Sequence, residues 1–344
     1  MHRRQFLASA SLALSAQGAP RRIRTGILGI QHSHLAGKLQ VMYDNPAYEV
    51  VSICEPNEDI RRDAAGDKRF ARLQWVTMEQ LLGDRSLDLI VFEGEVKDAV
   101  PFGKKVLEAG KHLHLEKPPT SRLEPFRELV ELARRRDRKL QLGYLYRFHP
   151  GVDAALEAAR NGWLGGVFMI RATMNSDRDA KQRGVEARYP GGSMFELGGH
   201  QIDRVIAFLG KPTHVRTWLR HDTTIKDTLK DNTLAVFEYP TALATVVSSA
   251  RDAASHRSLE VIGSDGSMTI DPMEPAPVLR VQMREGRGPY QKGMTERRFP
   301  AQPRFHLDFA DLARAIQSET PLRYSYDHEL LLHETLLRAS GEIV

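Results

Sequence analysis

Lys117, in "LEKPP" (Leu115 to Pro119), follows a short apolar run and is backed by two prolines. A lysine just past the carboxyl end of a parallel strand points its ammonium into the crevice above the sheet. There it can hold a substrate hydroxyl or carbonyl and stabilise developing oxyanion charge. The bland alternative is a surface strand-to-helix turn, where Glu-Lys-Pro is a common tripeptide. A second set lies in "GGSMFELGGHQIDRVIAFLG", Gly191 to Gly210. Helical spacing puts Phe195, Ile202, Val205, Ile206 and Leu209 on an apolar stripe, with Glu196, His200 and Asp203 on a neighbouring polar one. A carboxylate one turn from a histidine can fix the imidazole tautomer and raise its basicity, as a general base requires. The bland alternative is a solvated acidic face with an incidental histidine.

The third set is "GILGIQHSHLAG", Gly26 to Gly37. An apolar run delivers the chain to Gly29 and a helix pattern follows, as in a dinucleotide-binding loop. Such a loop has glycine at the next two key positions, one for backbone approach to the pyrophosphate and one for helix–strand packing. Here Gln31 and His34 stand there, with His32 and Ser33 between.

These residues need a parallel sheet to gather them. From Ile23 onward, apolar runs ("RTGILGI", "YEVVSICE", "LDLIVFEGE", "KHLHLEKP", "KLQLGYLY") alternate with amphipathic segments ("SHLAGKLQVMY", "AVPFGKKVLEAG", "LEPFRELVELARRR"). That alternation predicts an α/β fold with a parallel sheet covered on both faces, its ligands bound at the carboxyl ends of the strands. After a helix, "PGVDAALEAARNG", the runs lengthen and alternate ("GGVFMIRATMN", "THVRTWLR", "NTLAVFEY", "ALATVVSSA", "SLEVIGS"), which predicts a mostly antiparallel sheet. Two helices, "FHLDFADLARAIQSE" and "DHELLLHETLLRAS", end the chain. The expected division is a leader over 1–20, a nucleotide-binding domain over 22–145 and a substrate domain over 146–344.

Composition excludes several classes. The net charge of +5 comes from 49 basic and 44 acidic residues spread along 344 positions, without a basic stripe interleaved with aromatics, so nucleic acid is not an expected partner. The single cysteine, Cys54, allows neither an internal disulfide nor a thiolate metal cluster. "HRRQFLASASLALSAQGAP" reads as a signal peptide of the twin-arginine type, with Arg3-Arg4 ahead of a mildly apolar run and small residues near Ala16 to Ala19. The run is too short for a permanent membrane anchor, and an exported, periplasmic location is expected.

"AGKHLHLEKP", then "LGYLYRFHP", then "GGSMFELGGHQID", with "DFADLARAI" near the end, resemble the Gfo/Idh/MocA family of glucose–fructose oxidoreductase, inositol dehydrogenase and their relatives. The resemblance implies a Rossmann domain followed by an open-faced α/β domain, with NAD(P)-linked chemistry on a small sugar or cyclitol between them. It makes Lys117 the active-site lysine, His200 the acid/base and Glu196, where aspartate is usual, the accompanying carboxylate. Glu55, ending "VSICE", matches the acid that binds adenosine ribose hydroxyls and favours NAD over NADP. Gly29, Gln31, His32, Ser33, His34, Glu93, Glu95 and Glu116 complete the expected cofactor contacts, and Arg147, His149 and Asp203 the substrate side.

Two carboxylates, Glu93 and Glu95 in "FEGEVKDAVP", stand where relatives carry a threonine–proline–asparagine turn, and beside a pyrophosphate they need an offsetting charge. No metal is the preferred reading. The alternative is zinc or manganese on His32, His34, Glu93, Glu95 and His114. An exported enzyme has no cytoplasmic NAD(H) pool, so a retained cofactor and redox-neutral net chemistry are expected: epimerisation, elimination, glycoside cleavage or paired oxidation and reduction. The competing reading is a protein that has lost nucleotide binding and serves as a carbohydrate-binding protein or metal-dependent lyase. A homo-oligomer formed through the second sheet is also expected.

Overall fold

The computed structural model describes residues 21–343. The proposed leader lies outside the described residues. The first sheet contains β1 (Ile23–Leu28), β2 (Tyr48–Cys54), β3 (Gln74–Trp75), β4 (Leu89–Phe92), β5 (His112–Leu115) and β6 (Leu140–Leu142), all parallel, in the order β3-β2-β1-β4-β5-β6. The strand order reverses between β1 and β4, so their carboxyl-end loops open a crevice. β1 and β4 are buried almost throughout because helices cover both faces: α1 (Leu35–Asp44), α2 (Glu58–Asp63), α3 (Met78–Gly83), α4 (Val96–Glu108) and α5 (Leu123–Arg135). Gly29 sits in the left-handed region at φ +83, and a Cβ there would stand 2.7 Å from the Gly94 backbone nitrogen, so only glycine lets the β1 and β4 loops touch.

The second half begins with α6 (Pro150–Arg160), followed by β7 (Val167–Met174), α7 (Ala180–Glu186) and α8 (Gly199–Leu209). Seven further strands join β7: β8 (His214–Arg220), β9 (Asn232–Glu238), β10 (Leu243–Ser249), β11 (Arg257–Gly263), β12 (Gly266–Ile270), β13 (Val278–Met283) and β14 (Gly293–Arg298). Their order is β14-β13-β12-β11-β7-β10-β9-β8, antiparallel except for the β7–β10 pair. The sheet extends beyond the strands expected from sequence through β12 to β14. One face, carrying Ile170, Ala244, Val261 and Met268, is buried with the helices. By register the other face presents Trp218, Leu243 and Met294 to solvent beside the Arg171–Glu260 and Arg280–Glu296 ion pairs.

The last helices, α9 (His306–Gln317) and α10 (Tyr326–Ala339), join the halves. Phe305, Phe309 and Leu312 share one core with Ile27, Leu39, Tyr48 and Val91 of the first sheet and α1. Tyr48 donates its hydroxyl to the Phe309 carbonyl at 2.6 Å. α10 packs against α5 and α8.

Candidate active site

Lys117 emerges directly after β5, with a cis peptide to Pro118. Its side chain is buried, and Nζ donates to the Glu196 carboxylate at 2.8 Å and to the Glu196 carbonyl at 3.0 Å. Burial, the largest influence, would raise the Glu196 carboxyl, but the Lys117 ammonium together with His32 and Arg178 outweighs it and holds that group below its usual range. The extra methylene of glutamate therefore does not prevent the pairing. Glu196 lies in a π-helical turn, Met194–Gly198, that runs directly into α8, so the stretch expected as one regular helix begins with a wider turn at the site.

His200, on the first turn of α8, is buried between the edges of Tyr144 and Tyr146. Its Nδ1 accepts from the Leu145 amide at 3.3 Å. That assigns the proton of the neutral ring to Nε2. Burial, aided by the Lys117 ammonium, holds the imidazole well below its ordinary pKa and keeps it neutral. The tautomer is therefore fixed by a backbone amide, whereas the sequence pointed to Glu196.

Across the crevice lies a charged cluster whose centre sequence reasoning missed. Lys38, buried on α1 one turn after His34, donates to Glu93 at 2.5 Å and also to Glu116. Burial works against the ammonium, but Glu116 and Glu93 outweigh it and raise its pKa. The same ammonium holds Glu116 well below the carboxylate range despite burial, whereas burial pushes Glu93 up to about 8. Lys38 thus offsets the Glu116 charge, while Glu93 is eased by the same ammonium and by holding its proton to higher pH. Glu95 is met separately by Lys97 and Arg188 at the surface. Gly143 makes room for the cluster, since a Cβ there would lie 2.9 Å from Glu116 Oε1.

The loop side chains lean on this cluster. His34 Nδ1 is 3.0 Å from Glu116 Oε1. His32 lies 3.7 Å from Glu93 and 3.8 Å from Glu116, and burial lowers its pKa to about 4. The Gln31 and His32 amides both donate to the Glu93 carbonyl, at 3.0 and 2.9 Å. His114, on β5, bonds Gln141 through Nδ1, and burial lowers it to about 3.

Three expected substrate contacts belong to the scaffold instead. Arg147 is buried between Asp203 and Glu329, with Nη2 2.8 Å from Glu329, and its guanidinium lies over the Tyr144 and Tyr324 rings. Asp203 also accepts from Arg204 and pairs with His328 at 2.6 Å, which uses up both its oxygens inside the protein. His149 caps α6, its Nδ1 accepting from the Gly151 and Val152 amides, while Nε2 meets the Met273 carbonyl at 2.8 Å. The structure adds Glu186, buried near the Lys117–Glu196 pair and bonded to Arg178, with its carboxyl pushed up by burial to about 7. A cavity of about 70 Å³ adjoins His200 through Leu145 and Tyr146 and is walled by Glu274, Arg304, Phe305 and Asp308.

A family profile described as the oxidoreductase family, NAD-binding Rossmann fold, matches residues 23–144, and one described as the GFO/IDH/MocA C-terminal domain matches residues 152–269. The chain belongs to the Gfo/Idh/MocA family. Its first domain is the family's NAD-binding domain, and the family is one of NAD(P)-dependent oxidoreductases. Among curated relatives, dTDP-3,4-didehydro-2,6-dideoxy-alpha-D-glucose 3-reductase of Streptomyces violaceoruber is 26% identical over 304 residues, 86% of each chain. GenD2 from gentamicin A biosynthesis, solved with NAD, shares the fold at TM-score 0.76 and 21% identity, over 93% of this chain and 94% of that one. KijD10, a 3-ketoreductase from Actinomadura kijaniata solved with TDP-benzene and NADP, does so at TM-score 0.73 and 20% identity, over 93% and 96%.

The nucleotide fits this family member with one alteration. Glu55, at the end of β2, receives the Ile30 and Asn57 amides at 3.0 and 2.9 Å. Each of its oxygens retains a lone pair for a ribose hydroxyl. Gly29 makes the tight turn. At the pyrophosphate end, however, the Gln31 and His32 amides are taken by the Glu93 carbonyl, which leaves the side chains of Gln31, His32, Ser33 and His34 as polar groups of the loop.

Proposed function

We propose that the protein is an exported oxidoreductase acting on a sugar, cyclitol or glycoside, with NAD retained and redox-neutral net chemistry. The observation that carries the reading is the convergence of Lys117, paired with Glu196, and neutral His200 at the carboxyl end of β5. Bound nicotinamide supplies the acceptor or donor of a hydride at a ring carbon. Glu55 holds the ribose, and the QHSH loop faces the pyrophosphate. The resemblance to the family implies proton removal by His200. With Nδ1 occupied by the Leu145 amide, His200 instead presents an Nε2 proton to the substrate oxygen. Lys117 Nζ, an ammonium beside Glu196, is then the group that gives its proton to the carbonyl oxygen on reduction, and on oxidation the neutral amine takes that proton back; Glu196 keeps the group in place. The sugar-nucleotide activity of the Streptomyces relative supports a carbohydrate substrate. So does the cavity beside His200, where Tyr146 and Phe305 offer apolar surface next to the Glu274–Arg304 ion pair.

Export is supported by the Arg3-Arg4 leader pattern, and among the described residues no helix is long and apolar enough to cross a membrane. The apolar residues on the outer face of the second sheet support a homo-oligomer, which light scattering after gel filtration would test. The central test is native mass spectrometry of the purified protein together with Lys117→Met. The reading expects bound NAD(H) and, in the variant, turnover reduced by at least about 100-fold with the melting curve unchanged. A variant that turns over sugar normally would refute the assignment. A protein that never carries or accepts nucleotide would return the competing, nucleotide-free reading.

A further inference from the structure

The loop residues that replace the glycines stand beside carboxylates in an arrangement that nucleotide binding does not explain. His32, His34 and Glu116 each offer a donor atom within 4.8 Å of the others. The separations resolved among them are 3.0 Å from His34 Nδ1 to Glu116 Oε1 and 3.8 Å from His32 Nε2 to Glu116 Oε2. Ligands about 2.1 Å from a tetrahedral ion lie about 3.4 Å apart, and the two separations, which fall on different oxygens of Glu116, lie on either side of that value. Two imidazoles and one glutamate, with the fourth position left open, are also the donor set of a class of catalytic zinc sites.

A second observation points the same way. Glu93 Oε2 is fully buried and has no hydrogen-bond partner among the described residues. It lies 3.7 Å from His32 Nδ1, on the far side of the ring from Nε2. A metal-bound histidine characteristically donates its other ring nitrogen to a carboxylate, which fixes the ring and strengthens the ligand. In the present geometry the His34 amide donates to the same Nδ1 at 3.3 Å, so metal binding requires His32 to exchange that contact for Glu93 and to free Nε2 of its proton.

The neighbouring trio Glu93, His114 and Glu116 also meets the distance criterion, but all three residues are buried, which leaves an ion no path to it; Lys38 bonds Glu116, which both groups share, and so does not choose between them. His32 and His34 keep about a fifth of their side chains exposed, which leaves a path for an ion. We infer that the crevice holds one divalent cation of the zinc class on His32, His34 and Glu116, with Glu93 orienting His32. The solvent-reached side of the site is the one on which the His32 and His34 side chains are exposed, and the open position lies there. There the ion takes a water or a substrate oxygen as its fourth ligand. Glu95 is not part of this site, being bound at the surface by Lys97 and Arg188.

The inference stands apart from the oxidoreductase reading, because metal binding is read on the protein without nucleotide or substrate. Purified protein, stripped with chelator and checked by circular dichroism, is titrated with Co²⁺ and followed by its visible absorption, and separately with Zn²⁺ by calorimetry. One equivalent per chain is expected, with the intense visible bands of four-coordinate cobalt. His32→Ala and His34→Ala should each weaken binding at least about 100-fold, while Glu95→Gln binds as the parent does. Absence of stoichiometric binding by the folded parent would overturn the inference. So would unchanged affinity in both histidine variants, or loss of binding in Glu95→Gln.

Discussion

Replacing Lys38 by methionine tests whether one buried ammonium holds the nucleotide crevice together. The side chain is fully buried, and its nitrogen bonds two carboxylates, Glu93 and Glu116, that nothing else of opposite charge reaches as closely. Methionine preserves most of the volume, so the change isolates the charge. Breaking a buried ion pair by removing one partner costs about 3–5 kcal/mol. Two factors keep the value inside that range: Glu93 can take up a proton, and Glu116 retains the Lys117 amide and His34. At an m-value of about 3 kcal/mol/M, the urea midpoint should fall by about 1–1.7 M. Glu93→Gln removes one of the carboxylates that the ammonium serves, so adding it to Lys38→Met should recover about 1–2 kcal/mol of the loss. Urea melts of the four proteins followed by circular dichroism measure both quantities. A loss below about 1 kcal/mol, or strict additivity of the two substitutions, would show that Lys38 does not neutralise this cluster.

Asp308 is buried at the start of α9, and burial pushes its carboxyl up to about 7. Between about pH 4, where the unfolded chain loses this proton, and about pH 7, where the folded protein does, this group's contribution to stability should fall with rising pH by about 4 kcal/mol. Asp308→Asn should remove that share of the slope, Glu93 and Glu186 keeping theirs, and melt above the parent at pH 8, whereas parallel melting temperatures of parent and variant from pH 5 to 8 would contradict it. Cys54 is buried at the end of β2, and burial raises its thiol to about 11. A thiol reagent at pH 8 should therefore find no reactive group in the folded protein and one per chain in denaturant. Rapid labelling of the folded protein would contradict its burial.

Alternation of short apolar runs with amphipathic segments made the parallel sheet legible, because strands buried on both faces and helices buried on one leave different periodicities. Lys117, Glu196 and His200 were legible because they lie within local motifs at the ends of such runs. Lys38 was not: on α1 it occupies an ordinary polar position, and only the fold brings Glu93 and Glu116 to it from 55 and 78 residues away. Its one local signal was the four-residue spacing from His34. Arg147 and Asp203 were misplaced for the same reason, since Glu329 and His328, which satisfy them, arrive on the final helix. His149 carried a readable clue, a polar residue followed by Pro150 at a helix start, which is where a cap stands. β3 escaped notice because it is only two residues long.

The packing of α9 on the first sheet has a consequence for how the protein is made. On the ribosome, the strands and helices up to Leu142 emerge long before Phe305, Phe309 and Leu312, which complete their hydrophobic face. Until then Ile27, Leu39 and Val91 lack a part of their cover, and Tyr48 lacks the carbonyl that takes its hydroxyl. The amino-terminal half is therefore not an independent module that could be cut out and studied alone. A fragment ending after β6 would expose a sticky apolar surface, and a shortened chain lacking its last forty residues would leave the nucleotide half as unfinished as the substrate half.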